Sequence, residues 1–231
     1  MELLHFTGQV WRPPYEASSQ LLQVTAGCTH SKCKFCSLYH GTKFRLSPIA
    51  EVEEDLKVIQ DYQPRARRVF LTGANPFALS YNRLLDLGLL IRKYLRYCES
   101  IGMFSRISDI KSKTVEELQN LRHLGFDSIS IGTESGDDNT LAMMNKGYTA
   151  NDIIEQCKKL EEANIRYNLV YLTGLAGKGK GERNAINTAN VFNQLHPFTV
   201  NFVSLTVFSE SELYKEIQPV SYTHLRAHET R

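Results

Sequence analysis

Three of the five cysteines of this chain, Cys28, Cys33 and Cys36, lie within nine residues of one another. The other two, Cys98 and Cys157, stand alone within helical patterns and are expected to be small buried side chains. A close trio in a loop instead holds several thiolates at the separation that a soft metal ion or a metal cluster needs. The spacing therefore predicts a metal or cluster site near the start of the chain.

The spacing alone leaves two kinds of site open. A structural zinc ion needs four ligands, and His40 would complete a Cys3His set with the cysteine trio. A four-iron cluster is instead held by three cysteines, which leaves one iron free for a substrate or cofactor. The choice between the two depends on the elements that surround the cysteines.

The composition is that of an ordinary globular protein. Hydrophobic residues make up 42% of the 231 residues, charged residues 23%, and the formal net charge is +2. Such a charge requires neither nucleic acid nor an anionic membrane as a partner. No apolar run approaches a membrane-spanning length, the first residues lack a signal-peptide pattern, and the cysteines are clustered rather than dispersed. We therefore expect a cytoplasmic protein with no membrane partner.

Short apolar runs alternate with segments of helical periodicity. The predicted strands are 21–25, 68–72, 102–107, 128–131, 166–172 and 199–207, and the predicted helices are 49–62, 81–97, 114–124, 149–163 and 184–195. Local signals support the helices: Ser47 is expected as an N-cap, and Thr114 and Thr149 each begin a capping box. This alternation predicts an α/β fold of parallel strands, and it suits a partial (β/α)6 TIM-like barrel at least as well as a Rossmann sheet.

The chain divides into three parts by the same reasoning. Residues 1–20 form a polar, proline-marked lead-in, and residues 21–218 form the core domain. Residues 219–231 look like the translated read-through of a sequencing adapter, so they are predicted to be a non-native tail. On this interpretation the natural gene continues beyond Gln218, and the barrel is truncated at its C-terminus.

Polar and glycine-rich segments follow the predicted strands. Besides the cysteine trio, these segments are Gly73–Asn75, Ser108–Asp109, Glu134–Gly136 and Gly174–Gly177. In parallel α/β folds the carboxyl ends of the strands meet at one face, and that face carries the active site. The five segments are therefore predicted to converge. A small zinc module has no need of such neighbours, whereas a cofactor-binding barrel does.

With these residues in view, the chain from about Leu21 to Gln218 resembles the radical S-adenosylmethionine (SAM) enzymes. Three sequence motifs resemble those of the branch that contains oxygen-independent coproporphyrinogen oxidases and methylthiotransferases. They are G-C…C-K-F-C around the trio, Gly132–Gly136, and Met144–Thr149. The chain departs from the common pattern twice. Four residues rather than three separate the first two cysteines, and Gly73-Ala-Asn75 stands where many members have Gly-Gly-Glu.

The resemblance implies a function and a set of site residues. Cys28, Cys33 and Cys36 would hold three irons of a [4Fe–4S] cluster, and SAM would bind the fourth iron. Reductive cleavage of SAM would give a 5′-deoxyadenosyl radical that abstracts hydrogen from a substrate. The electron would come from a donor such as flavodoxin or ferredoxin. The implied SAM contacts are Phe35, Gly73, Ala74, Asn75, Ser108, Glu134, Ser135, Lys146 and Gly174.

Several of these residues have a plainer interpretation. Phe35 would either pack near the adenine of SAM or fix the loop against the barrel. Glu134 and Ser135 would either bind the ribose or methionine of SAM or cap the next helix. Lys146 would pair with a carboxylate or lie in solvent. Gly174 would let the backbone approach the adenine closely.

Two rival functions rest on other motifs. Residues 174–180 satisfy the phosphate-binding pattern G-x-x-x-x-G-K, but Gly181 stands where a magnesium-binding Ser or Thr is needed. The other rival is a non-enzymatic zinc module that binds RNA, which a basic stripe with interleaved aromatic residues would favour. The near-neutral charge and the six strand–helix repeats oppose it. The substrate class stays open among a tetrapyrrole, an RNA base and a small metabolite.

Overall fold

The computed structural model describes residues 4–39 and 41–217. His40, the proposed fourth zinc ligand, and the predicted non-native tail lie outside these described residues. The strands are β1 Gln20–Gln23, β2 Thr25–Ala26, β3 Arg45–Leu46, β4 Arg68–Thr72, β5 Ser100–Ser105, β6 Phe126–Glu134, β7 Tyr167–Thr173 and β8 Thr199–Ser204. The α-helices are α1 Ile49–Tyr62, α2 Tyr81–Tyr94, α3 Ile107–Lys111, α4 Val115–His123, α5 Asp138–Met143, α6 Ala150–Glu162, α7 Gly181–Phe192 and α8 Glu212–Ile217.

Six strands form one parallel sheet in the order β1-β4-β5-β6-β7-β8. Each strand pairs with the next one of the sheet along the chain, as in a barrel, and β1 and β8 form the two outer edges. This arrangement confirms the predicted partial (β/α)6 barrel. All six carboxyl ends therefore point to one face. β2 and β3 form a separate antiparallel pair beside the cysteine segment.

Helices with local end signals begin and end close to their predicted positions. α1 matches its prediction, although Pro48 rather than Ser47 is its N-cap, so the expected side-chain cap was wrong. The capping boxes of Thr114 with Glu117 and of Thr149 with Asp152 are both formed. Each box pairs a side chain with a backbone N–H three residues away, so sequence alone is sufficient to specify it.

Elements that depend on distant contacts were predicted less well. Ser108 and Asp109 belong to α3, not to a loop at the end of a strand, because the Asp109 carboxylate accepts from the Arg106 N–H and starts a helix there. Gly132 to Glu134 belong to β6, which shifts register against β7 before Glu134 pairs with Tyr171. The helix predicted over 81–97 ends at Tyr94.

The main core lies between the sheet and the helices that cover it. Its largest fully buried apolar side chains include Leu22, Phe77, Ile91, Ile101 and Phe126. Burial of such side chains stabilises the fold by roughly 1.5–3 kcal/mol each. None of the helices in the described part of the chain combines the length and apolarity that a bilayer-spanning segment needs.

The lead-in contacts both ends of the sheet. Glu16 is buried and pairs through both carboxylate oxygens with the Arg68 guanidinium at the amino end of β4. Thr7 is bound through its backbone to the Gln23 side chain at the carboxyl end of β1. The described part of the lead-in is therefore bound to both ends of the sheet.

Candidate functional site

The cysteine segment leaves the carboxyl end of β1 through a close backbone contact. Gly27 has φ +70, and a Cβ at this position would come within 2.6 Å of the carbonyl oxygens of Thr42 and Lys43. Only glycine fits here without displacement of the neighbouring backbone. The β2–β3 pair thus fixes the direction in which the chain enters the cysteine loop, which we define as residues 28–36.

The cysteine loop presents three free thiols. Cys28 and Cys33 are half-buried and Cys36 is exposed, whereas Cys98 and Cys157 are buried elsewhere, as expected. Burial raises the pKa of the Cys33 thiol, and the Lys146 and Arg106 cations act against that rise. Cations beside a thiol favour the thiolate, which is the form that binds metals.

Across residues 4–39 and 41–217, no three side chains of Cys, His, Asp or Glu are already arranged as metal ligands. The chemistry of the donor set nevertheless fits an iron–sulfur cluster: three free thiols on one loop, with two cationic side chains acting on one of them. The same loop carries no fourth thiol.

Asn75, which follows β4, ties the cysteine loop to the rest of the site. Its side-chain oxygen accepts from the Thr29 N–H at 3.1 Å, and its amide nitrogen donates to Thr29 Oγ1 at 2.6 Å and to Asp109 Oδ2 at 2.9 Å. Asn75 is 1% exposed. Both amide hydrogens are therefore engaged within the protein, and the side chain positions the loop.

The segment after α5 holds the cysteine loop from the other side. His30 Nε2 lies 2.6 Å from the Asn145 carbonyl oxygen, and the Lys34 N–H donates to the Met144 carbonyl oxygen at 3.2 Å. Arg106, directly after β5, donates from Nη2 to the Lys146 carbonyl oxygen. The loop is thus joined to the ends of several strands, as the sequence predicted for the strand-end segments.

Lys146 is at the centre of a buried polar cluster. Its Nζ donates to the Gly132 carbonyl oxygen at 2.9 Å and lies 3.6 Å from Glu134 Oε1. It also lies 5.5 Å from the ring centroids of Phe35 and Tyr148. Of its two sequence interpretations, pairing with a carboxylate is therefore the observed one.

Within this cluster Lys146 and Glu134 each stabilise the charged form of the other. Burial acts to lower the pKa of Lys146, but the nearby Tyr148, Glu134 and Cys33 outweigh it and raise the pKa. Burial raises the pKa of Glu134, and Lys146 opposes that rise. The raised pKa favours the charged form of Lys146, and this cation beside the cysteine loop stabilises negative charge on the Cys33 thiolate.

The other predicted contacts are distributed around the same face. Gly73 has φ +119 and packs against Thr25, while Ala74 is half-buried beside it. Ser108 accepts from Arg106 Nη1 at 2.9 Å. Gly174, at the end of β7, has φ +83, and a Cβ there would meet only Leu205, at 3.7 Å.

Ser135 differs from these residues. It is fully buried, its hydroxyl donates to Asn184 Oδ1 at 2.5 Å, and it accepts from the Asp137 N–H at 2.9 Å. Asp137, not Ser135, is the N-cap of α5. The contacts of Ser135 are thus internal to the fold.

Sequence reasoning did not identify Arg106 and Tyr148 as site residues. Arg106 ends a weak strand, and nothing local indicates that its guanidinium bridges Ser108 and the backbone of Lys146. Tyr148 lies in the Met144–Thr149 motif, and its hydroxyl donates to the Gly132 carbonyl oxygen at 2.8 Å. Their partners are distant in sequence, so only the fold reveals them.

The fold and the site together define a partial α/β barrel with three free cysteines and a buried cation at the carboxyl ends of its strands. Residues 22–190 match the family described as the Radical SAM superfamily. The chain belongs to this superfamily, whose enzymes use a [4Fe–4S] cluster and SAM as cofactors.

One curated relative is similar to most of this chain. The heme chaperone HemW of Bacillus subtilis (strain 168) is 23% identical over 201 residues, which are 83% of this chain and 51% of the relative. The chain thus spans about half the length of this curated relative.

Two solved structures share the fold. The radical SAM methyltransferase TsrM of Kitasatospora setae, solved with cobalamin and a [4Fe–4S] cluster, has a TM-score of 0.69 at 18% identity, over 86% of this chain and 39% of that one. Coproporphyrinogen III oxidase (HemN) of Escherichia coli has a TM-score of 0.60 at 14% identity, over 87% and 51%. Neither of the rival functions, a zinc module or a phosphate-binding loop, receives support from these comparisons.

Proposed function

We propose that this chain is the catalytic core of a radical SAM enzyme in which Cys28, Cys33 and Cys36 hold a [4Fe–4S] cluster. When bound, the cluster and SAM together supply a radical that abstracts hydrogen from a substrate. The observation that carries this proposal is the position of the three free thiols, on a loop that Asn75 and Arg106 help to join to the ends of β4 and β5.

The protein's own residues would bind and shield the cofactors. The backbone of Gly73 and Ala74 and the side chain of Ser108 border the loop and would contact SAM. Glu134, held near Lys146, offers a carboxylate to the ribose or the amino group of SAM. Phe35 and Gly174 would face the adenine, one with a ring and the other with an open backbone.

Asn75 and Ser135 take positioning roles in this proposal, because their polar atoms are already paired within the protein. Asn75 would act on SAM through the placement of Thr29 and the cysteine loop. Ser135 would fix the end of β6, and thus Glu134. Both side chains would therefore position residues that contact SAM without contacting SAM themselves.

The reduced state of the cluster requires an electron donor, which we place among small electron-transfer proteins such as flavodoxin or ferredoxin. The protein would work in the cytoplasm, where thiols stay reduced. The free state of all five cysteines is consistent with such a compartment.

The test is anaerobic reconstitution of the chain with iron and sulfide, followed by dithionite and SAM. The expected result is a brown protein that forms 5′-deoxyadenosine, measured by chromatography. Cys33→Ala should lose this product, whereas Cys98→Ala, which removes a buried thiol outside the loop, should retain it.

A colourless protein that binds zinc tightly and forms no 5′-deoxyadenosine would overturn the proposal. Equal product from Cys33→Ala and the unaltered chain would overturn the ligand assignment. The Cys98→Ala control separates loss of a cluster ligand from a general effect of removing a thiol.

A further inference from the structure

A cavity of about 580 Å³ lies beside the cysteine loop. Its walls come from the lead-in at residues 7–11, the ends of β1 and β4, residues 37–39, and residues 208 and 210 after β8. It therefore occupies the open side of the barrel, where the first and last strands of the sheet do not meet. Its volume is in the range of small-molecule sites.

The wall formed by the lead-in is held by buried hydrogen bonds. Gln23 is 3% exposed, and its side-chain oxygen accepts from the Thr7 N–H at 2.7 Å. Its amide nitrogen donates to the carbonyl oxygens of Thr7 and Thr25, at 3.2 and 3.1 Å. Since Gln23 itself lines the cavity, this wall is fixed to β1.

An unpartnered hydroxyl lies in the wall of the cavity. Thr72, the last residue of β4, is fully buried and lines the cavity, and its Oγ1 has no hydrogen-bond partner among the described residues. Buried polar groups in native proteins are paired in the great majority of cases. This oxygen has almost no accessible surface, so it lies behind the cavity wall, and a ligand would be recognised by the other lining residues.

The lining is aromatic and carries a negative charge. Trp11, Tyr39 and Phe208 contribute rings. Among the described residues that line the cavity, the only carboxylate is Glu210, and none is a lysine, an arginine or a histidine. Aromatic faces and a carboxylate attract cations, whereas phosphate or several carboxylates would need cationic partners.

The cavity adjoins the proposed reaction centre. Ser37, which directly follows Cys36, lines the cavity, and so does Tyr39 two residues later. Gly27 and Gly73, which flank the cysteine loop and the end of β4, line the same cavity. A molecule bound there would contact residues directly adjacent in the chain to Cys28 and Cys36.

We propose that this cavity is the substrate site and that it takes a small organic amine with an aromatic or apolar body. The proposal rests on the proposed function, because a substrate site has a use only beside working cofactors. It assigns the substrate to the small metabolites. Tetrapyrrole carboxylates, phosphorylated compounds and RNA would need cationic partners, and the described residues that line the cavity include no lysine, arginine or histidine.

The chain provides its own reporter, because Trp11 is its single tryptophan and lines the cavity. The probes are phenethylamine, its isosteric carboxylate 3-phenylpropionate, and the neutral 2-phenylethanol, each titrated into the reconstituted full chain while tryptophan fluorescence is recorded. We expect saturable binding of phenethylamine, and binding of 3-phenylpropionate at least about tenfold weaker.

Matched charge reversals test the role of the carboxylate. Glu210→Lys is expected to reverse the preference, so that 3-phenylpropionate binds more tightly than phenethylamine. Glu116→Lys changes the net charge equally at an exposed position of α4 and should keep the preference for the amine. Both positions are exposed, so neither change is expected to disturb folding.

Binding of 3-phenylpropionate as tight as that of phenethylamine would overturn the proposal, as would saturable binding of none of the three probes. So would equal effects of the two reversals. Failure of this inference differs from failure of the proposed function: 5′-deoxyadenosine without amine binding removes only the substrate assignment. Amine binding without 5′-deoxyadenosine removes the enzymatic proposal.

Discussion

At the scale of single residues, glycines with little room around them fix the path of the cysteine loop. Gly27 and Gly179 have nearly the same backbone angle, φ +70 and φ +74, but their surroundings differ. A Cβ at Gly27 would meet two carbonyl oxygens at 2.6 Å, whereas nothing lies within 4 Å of a Cβ at Gly179. This pair separates the cost of backbone strain from that of crowding.

We therefore predict that Gly27→Ala lowers the free energy of unfolding by about 1–3 kcal/mol more than Gly179→Ala does. Both variants share the cost of a left-handed alanine, about 1–2 kcal/mol. Chemical denaturation of the two variants measures the difference. Equal losses would contradict the close approach of Thr42 and Lys43 to the start of the cysteine loop.

Lys113 is a second residue whose surroundings make a measurable prediction. It lies between α3 and α4, is 2% exposed, and donates from Nζ to the carbonyl oxygens of Phe77 and Asp109, at 2.7 and 3.0 Å. Burial lowers its pKa from 10.5 to about 8. Between these values the unfolded chain binds more protons than the folded one, so the contribution of Lys113 to stability rises with pH.

The difference in unfolding free energy between the unaltered chain and Lys113→Met should therefore grow from pH 8 to pH 10.5, by up to about 3 kcal/mol. Urea denaturation at several pH values measures it. Lys57→Met, at an exposed position of α1, is the control and should follow the unaltered chain. A constant difference for Lys113→Met would contradict the low pKa.

At the scale of elements, α8 covers the cysteine loop. Leu213 is fully buried in a small apolar cluster with Met144, and Phe35 packs against that cluster. The Leu213 N–H donates to the Lys34 carbonyl oxygen at 2.8 Å, and the Lys34 amine pairs with Glu216. The helix is thus joined to the loop by both packing and hydrogen bonding.

Leu213→Ala should release α8 and expose the loop. Removing the buried side chain costs about 2–5 kcal/mol where the structure cannot collapse around the cavity. We expect alkylation of Cys33, measured by peptide mass spectrometry in the cluster-free chain, to become several-fold faster. Leu89→Ala, on an exposed face of α2, should leave the rate unchanged. Equal rates in both variants would show that α8 does not shield the loop.

The elements also show what sequence alone was able to predict. α1, the Thr114 and Thr149 capping boxes and β4 are set by residues within a few positions of one another, and their predictions are confirmed. Each strand of the β2–β3 pair is only two residues long, and its partner strand lies about twenty residues away in the chain. No local sequence pattern therefore predicted this pair.

For the candidate site as well, features set by nearby residues were predicted from sequence and features set by distant contacts were not. The cysteine trio and the strand-end segments were proposed from residue type and spacing, and Lys146 from the resemblance, with its carboxylate partner left open. The engagement of Asn75 by Thr29 and Asp109, which lie 46 and 34 positions away, was not foreseen. Arg106 and the cavity wall at Thr7 were missed for the same reason: their contacts exist only after the strands have paired.

At the scale of the whole molecule, the sheet collects segments from most of the chain at one face. The predicted SAM contacts run from Phe35 to Gly174 and lie at or after the ends of five strands of the sheet, β1, β4, β5, β6 and β7. A ligand held by all of them would stabilise the whole sheet, because it binds the folded chain and not the unfolded one.

We therefore predict that SAM raises the thermal unfolding midpoint of the reconstituted chain. At a SAM concentration about a hundredfold above its dissociation constant, the gain is about 2.7 kcal/mol. For a domain of this size that gain corresponds to about 5–10 °C. Calorimetry under anaerobic conditions measures the shift, and Cys98→Ala should show it in full. Cys28→Ala should lose most of it, because SAM would have no cluster to bind; an undiminished shift there would place SAM at a site independent of the cysteine loop.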